Sequence, residues 1–211
     1  MKIPYIAVEG PIGVGKSTLA KAISDRFQYH LLKEIVSENP FLDQFYRNMD
    51  SVAFQTEMFF LCNRYKQIQE IEKNYLNKHI PVVSDYHMFK NLIFANRTLG
   101  QDDFHKYEQI FQILNRDLPH PNIVIYLHAN VNTLLKRISK RGRAFEKHIT
   151  PLYLENLSKD YDTHFQKFIA KNPDIPVLSI DGDKYDFVQN EEDLQFIFEQ
   201  LEKLLLKGVK N

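Results

Sequence analysis

Gly10-Pro11-Ile12-Gly13-Val14-Gly15-Lys16-Ser17-Thr18 carries the residue types and spacing of a phosphate-binding loop. Glycines at 10, 13 and 15 let backbone N–H groups turn inward around a phosphate. Lys16 can reach the β and γ oxygens of a nucleoside triphosphate such as ATP, and the Ser17 hydroxyl can hold Mg²⁺. A strand-like run, Tyr5-Ile6-Ala7-Val8-Glu9, precedes the loop, and a helix-like run, Leu19-Ala20-Lys21-Ala22-Ile23, follows it. That context is what the motif requires.

Further acidic and basic residues sit where phosphoryl transfer would need them. Glu34 follows the second strand-like run, so its carboxylate faces the γ-phosphate region and can accept a proton from an attacking hydroxyl. Asp85 ends the third run, Pro81-Val82-Val83-Ser84-Asp85, a position suited to an acid near Mg²⁺. Arg137 and Arg141 are one helical turn apart, and Arg143 follows Gly142, an arrangement suited to a closing phosphate lid over about residues 137–150. Taken by themselves, Glu34 would read as a solvated loop residue and the arginines as a solvated helix face.

The elements that must position these groups alternate along the chain. Short apolar runs at 3–9, 29–35, 80–84, 122–128 and 176–180 are separated by helical patterns, the longest at 51–75 and others at 131–140, 151–169 and 191–206. This rhythm predicts an α/β fold, a five-stranded parallel sheet with helices on both faces, and places ligands at the C-terminal ends of the strands. With 211 residues and no linker-like segment, the chain reads as a single domain spanning 1–211.

Composition narrows the partners. Lys plus Arg and Asp plus Glu are both 27, so no basic field draws the protein to nucleic acid or an anionic membrane. No apolar run approaches the roughly 18 residues a bilayer span needs, so a cytoplasmic enzyme is expected. The one cysteine, Cys62, lies in the run Met58-Phe59-Phe60-Leu61-Cys62 and is expected to be a small buried hydrophobe rather than a nucleophile.

The loop, Glu34, Tyr46, the segment from Glu57 to Arg64, Asp85, the Arg141-Gly142-Arg143 lid and a late Asp186-Phe187 pair occur in this order over nearly the whole chain. Together they resemble the deoxynucleoside kinase family. Ser84-Asp85-Tyr86-His87 and Arg141-Gly142-Arg143-Ala144-Phe145-Glu146-Lys147 are most similar to its bacterial deoxyguanosine kinase branch. The resemblance implies transfer of the γ-phosphate of ATP to the 5′-hydroxyl of a deoxynucleoside, with Mg²⁺, in a homodimer. It assigns Glu34 as the catalytic carboxylate, Tyr46 and Glu146 to the sugar 3′-hydroxyl, Arg137, Arg141 and Arg143 to the transferring phosphoryl group, and Asp186 and Phe187 to the adenine of the donor. Asp85 keeps the place beside Mg²⁺ and the lid. Many members carry an acid-Arg-Ser triplet where this chain has Asp85-Tyr86-His87, which leaves Tyr86 and His87 without assigned roles. The family's second base-binding acid aligns with Asn91 or with Lys90. The dimer would form through segment 54–65 or 102–117.

Base preference follows from hydrogen-bonding chemistry. Glu57 and Arg64 are two helical turns apart and project from one face. Guanine offers N1–H and N2–H₂ as adjacent donors, with O6 and N7 as acceptors, so Glu57 can take the first pair while Arg64 donates to the second. Adenine and cytosine would turn a ring-nitrogen lone pair toward an ionised carboxylate. Deoxyguanosine is therefore the expected acceptor, with deoxyinosine second; a deoxyadenosine/deoxycytidine kinase is the alternative. A nucleoside monophosphate kinase would need extra cations for the acceptor's phosphate. A GTP switch would need an Asn-Lys-x-Asp pattern, which Asn77-Lys78-His79-Ile80 breaks at its last position. A non-catalytic ATP-binding module has no need of Glu34 and the lid arginines.

Overall fold

The computed structural model describes residues 3–36 and 38–208. Strand β1 (Tyr5–Glu9) is buried along its whole length, because strands on both sides and packing above and below leave no face to solvent. It runs into helix α1 (Lys16–Phe27), then β2 (His30–Leu32), the short α2 (Leu42–Arg47) and the long α3 (Met49–Asn74). Strand β3 (Val82–Ser84), α4 (Lys90–Thr98), α5 (Gln101–Asn115), β4 (Ile123–His128), α6 (Val131–Arg141), α7 (Pro151–Lys171), β5 (Val177–Asp181) and α8 (Glu191–Gly208) complete the order.

All strand pairs are parallel, in the spatial order β2-β3-β1-β4-β5. The expected five-stranded α/β sheet is therefore present. The second and third runs shorten to three residues each, because pairing is confined to His30–Leu32 against Val82–Ser84. Beyond Leu32 the chain leaves the sheet, which carries Glu34 to the strand tips instead of into the ladder.

Side-chain alternation divides the interior. Ile6, Val8 and Val83 pack with Leu19 and Ile23 of α1 and with Leu157 and Tyr161 of α7. Tyr5, Leu32 and Val82 point the other way, into a second core with Leu61, Ile68, Tyr107 and Phe111. A small third cluster, Leu42, Phe45, Val52 and Ala53, seats α2 against α3. Thr150 caps α7 by accepting from the Tyr153 N–H, with Pro151 in the first turn.

The buried stripe of α3 runs Val52, Ala53, Thr56, Glu57, Leu61, Arg64, Ile68 and Ile71. Cys62 falls on the opposite face and is exposed, contrary to expectation. Helical period, not the local apolar run, decides which α3 side chains are covered.

Candidate active site

At the tip of β1 the chain turns through Gly10 and Gly13, at φ +151° and +85°. A Cβ at Gly10 would lie 2.1 Å from the Leu127 carbonyl oxygen, and one at Gly13 2.7 Å from Ile138 Cγ1, so only glycine lets the loop lie against β4 and α6. Lys16 Nζ donates to the carbonyls of Gly10 at 2.7 Å and Pro11 at 2.9 Å. Burial, helped by the nearby Lys90 charge, lowers its pKa from 10.5 to about 8. Ser17 Oγ donates to Asp85 Oδ2 at 2.5 Å, and Asp85 Oδ1 accepts from the Glu34 N–H at 2.7 Å. One carboxylate thus joins the first turn of α1 to the tips of β2 and β3.

Glu34 stands between two cations. Arg64 donates to its Oε1 from Nε at 3.1 Å and also from Nη2, and Lys90 Nζ donates to Oε2 at 2.7 Å. Burial works to raise the Glu34 carboxyl, but Lys90 and Arg64 overcome it and hold the group below the usual carboxylate range. Glu34 is therefore a charged acceptor at any pH the enzyme meets, better placed to orient a hydroxyl than to hold its proton.

Deeper in the same cleft lies Glu57, 2 % exposed, whose Oε1 is 3.1 Å from Thr98 Oγ1. Burial pushes its pKa up to about 7, against the opposing pull of Arg64, Thr98 and Lys90. Phe60, Phe94 and Phe145 add apolar walls, and Tyr46, Arg141, Arg143 and Glu146 line the same cleft. Arg141 donates to Glu146 Oε2 at 3.1 Å, and Arg143 lies 3.6 Å from Glu146 Oε1. Tyr46 stacks parallel to Phe145 at 6.3 Å. Thr56 also lines the cleft, and its buried hydroxyl has no partner among the described residues.

Three sequence expectations are placed differently. Arg137 does not line the cleft: it donates to the carbonyls of Val14 at 3.0 Å and Gly182 at 2.8 Å, tying the phosphate loop to the turn after β5. Those carbonyls come from distant segments, so helical spacing could not reveal them. Asn91 is fully buried outside the cleft wall, and its Oδ1 accepts from Arg64 Nη1. It holds Arg64 in place. Asp186 is exposed and accepts from the Val188 and Gln189 N–H groups, capping a turn, whereas Phe187 packs against Gly15 of the phosphate loop.

Sequence reasoning gave Lys90 no catalytic role and did not single out Glu9 or Thr98. Lys90 supplies a cation beside Glu34. Tyr86 and His87 turn instead to structural work: the Tyr86 hydroxyl donates to Gln67 at 3.1 Å and the His87 N–H to Glu9 at 2.7 Å. A lysine at the first position of the helix after Asp85 was the available signal.

A phosphate loop at a strand tip, an acid at the next strand and a cleft of ionisable groups across the sheet define a P-loop phosphotransferase. The deoxynucleoside kinase family model matches residues 6–206. Deoxyguanosine kinase of Bacillus subtilis is 47% identical over 203 residues, covering 96% of this chain and 98% of that protein. The deoxyadenosine/deoxycytidine kinase of the same organism is 28% identical over 209 residues, covering 97% and 94%. Deoxyadenosine kinase from M. mycoides, solved with bound dATP, superposes with a TM-score of 0.79 at 27% identity, over 94% of this chain and 99% of that one. The chain belongs to the deoxynucleoside kinase family.

Proposed function

We propose that the protein is a deoxyguanosine kinase, transferring the γ-phosphate of ATP to the 5′-hydroxyl of deoxyguanosine, with deoxyinosine as a secondary acceptor. The observation that carries this reading is a buried carboxylate, Glu57, at the far end of the cleft that holds Lys16, Glu34 and the lid arginines. An ionised carboxylate only accepts, and guanine offers it two adjacent donors. The 47% identity to a deoxyguanosine kinase points the same way.

In the reaction the acceptor's O5′ forms a bond to the γ-phosphorus as the β–γ bridging bond breaks. Glu34 accepts a hydrogen bond from the 5′-hydroxyl and aligns it. With its own pKa held low, it takes the proton only late, which suits a loose transition state. Lys16 leaves the Gly10 and Pro11 carbonyls for the phosphate oxygens. Arg141 and Arg143 exchange Glu146 for the transferring phosphoryl group, which frees Glu146 to join Tyr46 at the sugar 3′-hydroxyl. Arg137 serves the phosphate loop from behind, and Phe187, resting on Gly15, gives the donor adenine an apolar edge.

The Ser17 hydroxyl and Asp85 carboxylate are hard oxygen donors held together at the strand tips, the set Mg²⁺ accepts when phosphates complete its shell. Among the described residues no cluster of three or more His, Cys, Asp or Glu could hold a metal, so the ion would arrive with ATP. When bound, Mg²⁺ neutralises charge on the β and γ oxygens. We also infer a homodimer through the outer face of α3, where Cys62 is exposed, or of α5, where Ile113 is exposed, and a cytoplasmic site of action, where ATP is supplied. No helix among the described residues is long and apolar enough to cross a membrane.

The test is parallel phosphorylation of deoxyguanosine, deoxyinosine, deoxyadenosine, deoxycytidine, thymidine and dGMP with Mg·ATP, compared by kcat/KM. Deoxyguanosine should lead and deoxyinosine follow. Turnover of dGMP alone would move the protein to the monophosphate kinases.

A further inference from the structure

Thr98, at the end of α4, has one hydroxyl hydrogen and two acceptors within reach. Its Oγ1 is 3.1 Å from Glu57 Oε1 and 2.9 Å from the Phe94 carbonyl oxygen. With Glu57 ionised, the hydrogen points to the carboxylate, which gains its one direct donor. With Glu57 neutral and its proton on Oε2, the hydroxyl can donate to Oε1 or turn to the Phe94 carbonyl, and the Oε2–H stays free for a base. Both arrangements satisfy the hydroxyl with no movement of a heavy atom. We propose that Thr98 is a specificity-determining residue that lets Glu57 serve the base site in two proton states, ionised for guanine and neutral for adenine or cytosine, so that base preference follows pH.

The chemistry of each state is distinct. Two carboxylate oxygens meet N1–H and N2–H₂ of guanine. A neutral carboxyl presents one O–H donor beside one acceptor, which matches N1 with N6–H₂ of adenine, and N3 with N4–H₂ of cytosine. In hydrogen-bonding terms it imitates a glutamine amide.

The groups around Glu57 do not duplicate this behaviour. Arg64 from its own helix, Lys90 from α4 and Glu34 from the strand tips act on it through their charges. Tyr46 from α2, Tyr107 from α5 and Tyr153 from α7 also face it, and all three phenols are pushed above their ordinary value by burial, so they stay neutral. Glu34 is held ionised throughout. Glu57, with a pKa raised to about 7, is left as the group whose charge changes near neutrality.

This inference rests on the deoxyguanosine reading, and its test separates the two. The ratio of kcat/KM for deoxyguanosine over deoxyadenosine, and over deoxycytidine, is measured from about pH 6 to about pH 8. Effects of Lys16 or of the ATP phosphates apply equally to every acceptor and cancel in the ratio. The wild-type ratio should rise with pH by up to about tenfold per unit, as expected of one proton. Glu57→Gln should give a flat ratio. Thr98→Val, which removes the donor to the ionised form, should lower the ratio by roughly 3- to 10-fold at each pH, and Thr98→Ser should restore it. A wild-type ratio that favours deoxyguanosine and moves less than about twofold over the range would overturn the proton switch and leave the deoxyguanosine reading standing. A normal slope with Thr98→Val unchanged would remove Thr98 from it. No turnover of deoxyguanosine at any pH would overturn both.

Discussion

Residues 10–16 and the base end of the cleft face one cavity, yet one is built from backbone and the other from side chains. In the loop the binding groups are peptide N–H donors, and what matters is that glycine leaves room: a Cβ at Gly10 would strike the Leu127 carbonyl. At the base end Glu34, Glu57, Arg64 and Lys90 come from a loop and two helices, and each is useful only because the others are charged. The first kind of site tolerates no change of shape. The second responds to changes of charge, so its selectivity can be tuned one proton at a time.

The sharpest way to break this contrast is at Gly10. Gly10→Ala should destabilise the fold by more than about 4 kcal/mol, read from urea unfolding midpoints, since backbone lies in the path of the new methyl. A normally stable variant would mean that the loop's geometry is not fixed by close approach. Glu34→Gln should keep the shape and lose the charge, lowering kcat about 10²- to 10⁴-fold with little change in KM for ATP. A drop of only a few-fold would deny Glu34 its place beside the acceptor hydroxyl.

Arginines 137 and 143 offer a milder comparison. Arg143→Met should lower kcat about 10²-fold or more while leaving thermal stability unchanged. Arg137→Met should lower Tm by several degrees, about 2–4 °C for each kcal/mol lost, and act on kcat mainly through the loop it supports. Reversed phenotypes would return Arg137 to the lid. The smallest effect concerns Lys16. With a native pKa of about 8 it loses its charge in the free enzyme as pH rises through that value, so kcat/KM for ATP should fall on the alkaline side by up to about tenfold per unit. Stability runs the opposite way. Between about 8 and the ordinary value of 10.5 the unfolded chain binds more protons, so the burial of Lys16 costs stability below pH 8 and the cost is relieved as pH rises.

Legibility in the sequence follows the same division. A site made by glycine spacing is written locally, so the loop could be placed to the residue. The strands were visible as apolar runs, but their lengths depend on pairing, which is why residues 29–35 yielded only His30–Leu32. On α3, helical spacing placed Glu57 and Arg64 on one face, and both lie in the buried stripe with Leu61 and Ile68; the apolar run argued for burial of Cys62, and the same stripe leaves it exposed. Lys90 and Thr98 gave little signal, because their partners lie 56 and 41 residues away in the chain.

Glu9, the last residue of β1, is fully buried, and burial raises its carboxyl. It accepts from the Gly10 N–H at 2.9 Å, the His87 N–H at 2.7 Å and the Tyr161 hydroxyl at 3.0 Å. Mechanically, this one side chain bolts the phosphate loop, the segment after β3 and the middle of α7 to a common frame. The segment 143–149, which carries Arg143 and Glu146, is held separately, between Gly142 at φ +69° and the Thr150 cap of α7.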